Sequence, residues 1–323
     1  MSLSVSFLTP VQEDIHAVEN LMRSQAEGRH PDLGAALDLL LSSGGKRIRP
    51  TLTLLTGKML GADWQRLITL SAAIELLHTA TLVHDDLIDG SLLRRGMPTL
   101  NSQWTPGATV LTGDFLFASA AKLAADTNSI QVMSLFARTL VVIVNGEITQ
   151  LFSGHCQLNK EDYFQRIYAK TASLFETSAA TAAMISDVSA DVVEALRNFG
   201  YEIGMAFQII DDILDFTSEP GTLGKPVGSD LRQGLITLPT IFYTEEHPDD
   251  PAVNSLKEGR CINSDPQLNQ LIESIRTSQA IKQAHQEAFQ FVERGLKSLR
   301  TLPACDERQL LEDLANYIVN REL

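Results

Sequence analysis

The chain has 323 residues, a formal net charge of −14 at pH 7, 44% hydrophobic residues and only 6% aromatic ones. That length is ample to bury a core, and scarce aromatics beside abundant Ala and Leu favour packed helices over a sandwich or barrel. The acidic balance, without strong clustering of basic residues, argues against a nucleic-acid partner, so any anionic ligand has to be met by local cations.

Cys156, Cys261 and Cys305 are far apart in sequence, form no Cys-x-x-Cys and cannot all pair, which points to a reducing cytoplasm. The opening MSLSVSFLTPVQEDIH lacks a basic start leading into an apolar run. No later stretch holds about eighteen uninterrupted apolar residues, so no membrane span is expected.

In chain order, apolar residues at three- and four-residue spacings predict a helix over about 70–89, closed by Gly90. A polar, turn-rich connection follows, then helices at about 108–125, 129–153, 160–185 and 189–217. Val141–Val144 has the look of a buried strand, but its apolar pattern runs on too long at both ends for one. The stretch 217–234 is the clearest loop, the polar segment 245–267 another, and helices are predicted near 268–301 and 306–320. The sequence shows no repeat beyond one paired motif, and the expectation is a single all-α domain over 1–323.

That motif is Asp-Asp-x-x-Asp. LVHDDLIDG places Asp85, Asp86 and Asp89 at the C-terminal end of the first predicted helix, where the helix dipole disfavours negative charge. FQIIDDILDF repeats the pattern with Asp211, Asp212 and Asp215. Residues i and i+4 share a helix face, so Asp85 with Asp89, and Asp211 with Asp215, can each present two carboxylates to one point. Hard ions such as Mg²⁺ take such oxygens, keep several waters and bridge to phosphates, and a bound cation reverses the repulsion between like charges.

Paired carboxylates also suit glycoside hydrolysis, but that reading leaves the basic residues unexplained. GGKRIRP sets Lys46, Arg47 and Arg49 beside two glycines, RRG puts Arg94 and Arg95 after the first acid motif, and Lys225 follows the second by ten residues. Cations beside acids suggest a metal-bridged polyanion, with diphosphate the natural candidate.

Taken together, GGKRIRP, HDDLIDGSLLRRG, GD at 113–114, GEITQ at 146–150, KTASL at 170–174, FQIIDDILDF and LGKPVGSDLRQGLITLP resemble the trans (E-type) polyprenyl diphosphate synthases. LANYIVNREL looks like that family's last helix. The resemblance implies a single-domain isoprenoid synthase fold, with antiparallel helices around a central cavity, usually as a homodimer. It also implies Mg²⁺, three ions per active site, held by Asp85 and Asp89 on one side and by Asp211 and Asp215 on the other, with Asp86 and Asp212 behind them. By the same match Lys46, Arg49, His78 and Arg95 hold isopentenyl diphosphate, while Arg94, Lys170, Thr171, Gln208 and Lys225 contact the allylic diphosphate. The implied reaction ionises the allylic carbon–oxygen bond, and the double bond of isopentenyl diphosphate attacks the cation.

Product length is read from the residues before the first motif. Ala80 and Thr81 lie about 6–7.5 Å down the helix from Asp85, and in the family bulky side chains here stop the growing chain. Their small size implies geranylgeranyl or longer, with Leu77, Ile74, Phe115 and Phe117 as deeper wall candidates. LLHTATLVHDD and LTGDFLFA resemble the octaprenyl and solanesyl synthases most closely.

Three other readings compete. A class I terpene cyclase would carry Asn and Ser or Thr in its second motif and has no need of GGKRIRP. A squalene- or phytoene-type synthase is disfavoured by GKPVGSD. A non-catalytic subunit of a heteromeric synthase could lose acids or lysines, and this chain keeps them. His155–Cys156 has no partners at ligand spacing and is incidental as a metal site.

Overall fold

In the computed structural model, which describes residues 7–218 and 226–321, the regular secondary structure of the described residues is helical apart from one two-stranded hairpin. Lys225 lies outside the described residues. The described residues group into two compact units, each discontinuous in sequence. The first comprises those up to 140, 174–200 and 298–314; the second comprises 141–173, 201–297 and those from 315 on.

The first unit is organised by a long buried helix. It opens with α1 (Gln12–Ser24), α2 (Pro31–Ser42), α3 (Ile48–Met59) and α4 (Trp64–Ile88). The α4 helix starts six residues earlier than its apolar pattern suggests, because the Asp63 carboxylate caps it by accepting from the Arg66 amide at 2.9 Å. Its Leu70, Ala73, Ile74, Leu77 and Ala80 are fully buried, and even Ser71 and Thr79 turn their hydroxyls back to carbonyls one turn earlier. Gly90, with φ +62°, closes the helix as the sequence implies.

The polar, turn-rich connection contains β1 (Leu93–Arg94) and β2 (Met97–Pro98), paired antiparallel through Arg95 and Gly96. Both of those residues have positive φ, the signature of a primed two-residue hairpin. After α5 (Leu100–Gln103) comes α6 (Pro106–Asp126), which packs along α4. The α7 helix (Ile130–Phe152) includes Val141–Val144, so the strand alternative falls.

The single helix expected over 160–185 is divided into α8 (Lys160–Ile167), a π turn (Tyr168–Ala172) and α9 (Ser173–Met184). The α10 helix (Ala190–Thr217) carries the second acid motif. Then come α11 (Ser229–Arg232), α12 (Leu238–Glu246), α13 (Pro251–Lys257), α14 (Asp265–Thr277), α15 (Ala280–Leu299) and α16 (Asp306–Asn320). The break between α14 and α15 was invisible to periodicity; there Ser278 caps the next helix, its hydroxyl accepting from the Ala280 amide at 3.1 Å.

Two observations bear on the sequence expectations. Cys156 and Cys261 form a disulfide across 105 residues, with Cα atoms 5.3 Å apart, while Cys305 is free and exposed. Separation along the chain says nothing about separation in space, and cysteines that pair lend no support to a reducing compartment. Second, α4, α6 and α7 are long and apolar enough to cross a membrane by length and composition alone. Their isolated charges broke the uninterrupted-run criterion but not an average over a span; 78% of the qualifying stretch of α4 is buried within the protein.

Candidate active site

In the first unit the structure gathers the arginines of GGKRIRP and RRG around His78. The loop turns through Gly44 (φ +76°), Gly45 (φ +153°) and Arg47 (φ +46°) before entering α3. Glycine suits position 45 because a φ of +153° is a conformation that L side chains rarely adopt, and beside it Arg95 donates to the Gly44 carbonyl. Arg47 ties the loop to the helices around it, donating to Glu19 and Glu75, both at 2.9 Å, and to the Leu41 carbonyl at 3.0 Å. Burial works against its charge, but Glu75 and Glu19 outweigh it and hold its pKa above the ordinary arginine value.

Arg49 is buried, with its guanidinium 4.8 Å from the Phe175 ring centre and Nη1 3.2 Å from His78 Nε2. Arginine only donates, so Nε2 accepts and the neutral ring carries its proton on Nδ1. Burial, then the charges of Arg49, Arg95, Arg94 and Arg47, hold the His78 pKa well below 6.5. Lys46 is exposed on the same loop.

The carboxylates of the first acid motif sit in different surroundings. Asp86 is buried and gripped by Arg94, with Nε 3.0 and 3.1 Å from its two oxygens and Nη2 at 2.9 Å. Asp85 is half-buried and Asp89 exposed. The preceding His84 locks this end of α4 to α6: Nε2 is 3.2 Å from the Val110 carbonyl and its ring 5.1 Å from that of Phe117. A Cβ at Gly113 would lie 2.2 Å from His84 Nε2, so the glycine of the GD pair makes room for the imidazole.

In the second unit, Gly146 has the same function for the π turn, since a Cβ there would meet Ala169 Cβ at 2.5 Å. The neighbouring residues then pair, Lys170 Nζ lying 3.2 Å from Glu147 Oε1. Thr171 donates to Gln208 Oε1 at 2.6 Å, Gln208 to Asp212 Oδ1 at 2.8 Å, and Tyr163 to Asp212 Oδ2 at 2.7 Å. Burial and then the Asp230 charge push the Asp212 pKa up to about 8, against the pull of these donors and Arg166. Asp211 is met by Arg321 at 2.5 Å, and Asp215 accepts from the Ser229 and Asp230 amides, each at 3.1 Å.

Two acid motifs on separate helices, each beside cations, match a known pattern: the family model described as polyprenyl synthetase matches residues 30–275. The chain belongs to the polyprenyl synthetase family. It is 36% identical over 316 residues to the all-trans-nonaprenyl-diphosphate synthase (geranyl-diphosphate specific) of Rhodobacter capsulatus, covering 97% of each chain. It is 35% identical over 322 residues to heptaprenyl diphosphate synthase component 2 of Bacillus subtilis, covering 99% of this chain and 90% of that one. Among solved structures, polyprenyl synthase from Caulobacter crescentus CB15, complexed with calcium and isoprenyl diphosphate, aligns with a TM-score of 0.91 at 35% identity over 99% of both chains. The all-α isoprenoid synthase fold is therefore the family's own.

Of the residues expected to read product length, Ile74, Leu77 and Ala80 are fully buried on α4, Thr81 is half-buried, and Phe115 and Phe117 are half-buried on α6. Sequence reasoning missed Arg321, Tyr163 and the structural use of Arg47. Each acts through a partner distant in sequence, and only the arginine's place in the final NREL offered any signal.

The carboxylates suit magnesium by their chemistry. The motifs supply hard oxygen donors, two of them half-buried or exposed at i and i+4 on α4. Among the described residues no three His, Cys, Asp or Glu side chains converge into a ready-made cage.

Proposed function

We propose that this chain adds isopentenyl diphosphate to an allylic diphosphate, repeatedly and with trans geometry, to build a long-chain polyprenyl diphosphate. It is a prenyltransferase. The observation that carries the reading is the gathering of Arg49, Arg94 and Arg95 about a neutral His78 in a chain of net charge −14. Such a cluster suits a diphosphate. Lys46, Arg49, His78 and Arg95 would hold isopentenyl diphosphate, with His78 as a neutral hydrogen-bonding group. Lys170, Thr171 and Gln208 would orient the allylic partner.

Asp85, Asp89, Asp211 and Asp215 would hold Mg²⁺, which when bound supplies the charge that stabilises diphosphate as a leaving group. Calcium with isoprenyl diphosphate in the Caulobacter relative supports a divalent ion. No protein nucleophile is required, so the side chains contribute position, charge and exclusion of water. The small side chains of Ala80 and Thr81 support a long product, as do the nonaprenyl and heptaprenyl names of the relatives.

Assembly as a homodimer is part of the proposal. Val141, Val144, Ile148 and Leu151 on α7 are exposed at spacings of three, four and three, an apolar stripe suited to another helix. The Bacillus relative is named a component, which keeps a heteromeric assembly as the second reading.

The test is to incubate purified protein with Mg²⁺, labelled isopentenyl diphosphate and, separately, dimethylallyl, geranyl, farnesyl and geranylgeranyl diphosphates, and to size the products. Eight or more isoprene units support the long-chain reading. A stop at four makes it a geranylgeranyl synthase, and no product with any primer favours the subunit reading.

A further inference from the structure

The π turn at Tyr168–Ala172 changes helical register. In an unbroken α-helix Tyr163 and Thr171, eight residues apart, would point about 80° apart; a turn that absorbs one extra residue brings them within about 20° of a common face. Both then reach α10, where Gln208 and Asp212 are one turn apart. Tyr163 donates to Asp212, Gln208 donates to the other oxygen of Asp212, and Thr171 donates to Gln208, forming a ladder with two rungs.

Tyr163 is 1% exposed, and phenylalanine would fill the same space without burying a hydroxyl. The hydroxyl's partner is the middle acid of the second motif. At the other end of the ladder, Thr171 sits next to Lys170, whose ammonium faces Glu147, and Gly146 leaves room for the turn itself. Every member of the ladder is therefore tied to a motif residue.

We propose that Tyr163 is a positioning residue: through Asp212 and Gln208, its buried hydroxyl fixes the register of the π turn that presents Lys170 and Thr171. The proposal rests on the reading that these residues receive the allylic diphosphate. It assigns Tyr163 an effect on one substrate only, because none of its partners belongs to the cation cluster around His78.

The test uses full-length Tyr163→Phe and Thr171→Val, with the allylic primer and isopentenyl diphosphate varied separately. Loss of a donor to a buried carboxylate predicts a rise of about tenfold or more in KM for the allylic primer. KM for isopentenyl diphosphate should stay within about twofold and the far-ultraviolet spectrum should be unchanged. The double variant should be no worse than the more impaired single one, as for residues acting in one chain. Should Tyr163→Phe not fold, Gly146→Ala, which crowds Ala169 of the same π turn and is no substrate contact, reads the register of the turn instead.

Calorimetry with Mg²⁺ and inorganic diphosphate compares wild type and variant without requiring turnover. A wild type that binds diphosphate but makes no product therefore defeats the enzyme reading alone. Unchanged KM values and diphosphate affinity in both variants overturn the proposal, as does an equal rise in both KM values accompanied by a fall in melting temperature.

Discussion

Gly146→Ala should impair catalysis far more than stability. The added methyl would lie 2.5 Å from Ala169 Cβ, and ordinary carbon contacts need about 3.5–4.0 Å, so α7 and the π turn must separate by about 1 Å. Alanine in a helix recovers about 1 kcal/mol relative to glycine, and overpacking costs about 1–3 kcal/mol. The net loss of stability is therefore about 0–2 kcal/mol. The displaced segment carries Lys170, and a shift of about 1 Å in a substrate-positioning group costs about 100-fold in rate. Steady-state kcat/KM and urea denaturation of the same preparations measure the two effects. The exchanged pair, Gly146→Ala with Ala169→Gly, returns the methyl to the other side of the contact and should recover most of the lost rate. A single variant within about threefold of wild type, or an exchanged pair no better than the single one, refutes the reasoning.

Asp85→Ala and Asp211→Ala should each abolish turnover with an unchanged circular-dichroism spectrum; near-normal activity in either would remove that residue from metal binding. Burial and Arg49 hold the His78 pKa well below 6.5, so near that pH the unfolded chain takes up a proton that the folded chain refuses. Stability should therefore fall as pH drops below about 6.5, by about 1.4 kcal/mol per pH unit from this group. The fall ends at the folded pKa, and His78→Gln should flatten that part of a denaturation series. Reducing Cys156–Cys261, which closes a loop of 105 residues, should lower stability by about 2–5 kcal/mol. Coincident denaturation curves with and without dithiothreitol would contradict that.

What the sequence made legible is what acts locally. Long apolar periodicities located α4, α6, α7 and α10 to within a few residues, except where a cap such as Asp63 extended a helix past its apolar pattern. The acid motifs were readable because i and i+4 geometry is local, as were the glycine-flanked cations. Interactions joining distant segments left no such trace. Arg47 looks like a substrate cation until Glu19 and Glu75 are seen to hold it. The π turn occupies a stretch whose composition suits a helix throughout. What makes it useful is the position of Gln208, 37 residues beyond Thr171, and of Asp212, 49 beyond Tyr163. Cys156 and Cys261 likewise meet only through the folded chain.

The contact between His84 and Gly113 also has an evolutionary consequence. An imidazole occupies the volume that a side chain at 113 would need, so neither position is free to enlarge unless the other shrinks. Among relatives, residues larger than glycine at 113 should occur with residues smaller than histidine at 84. Substitution at these two sites should therefore be correlated, a size exchange passed between the helix that carries the first acid motif and its neighbour.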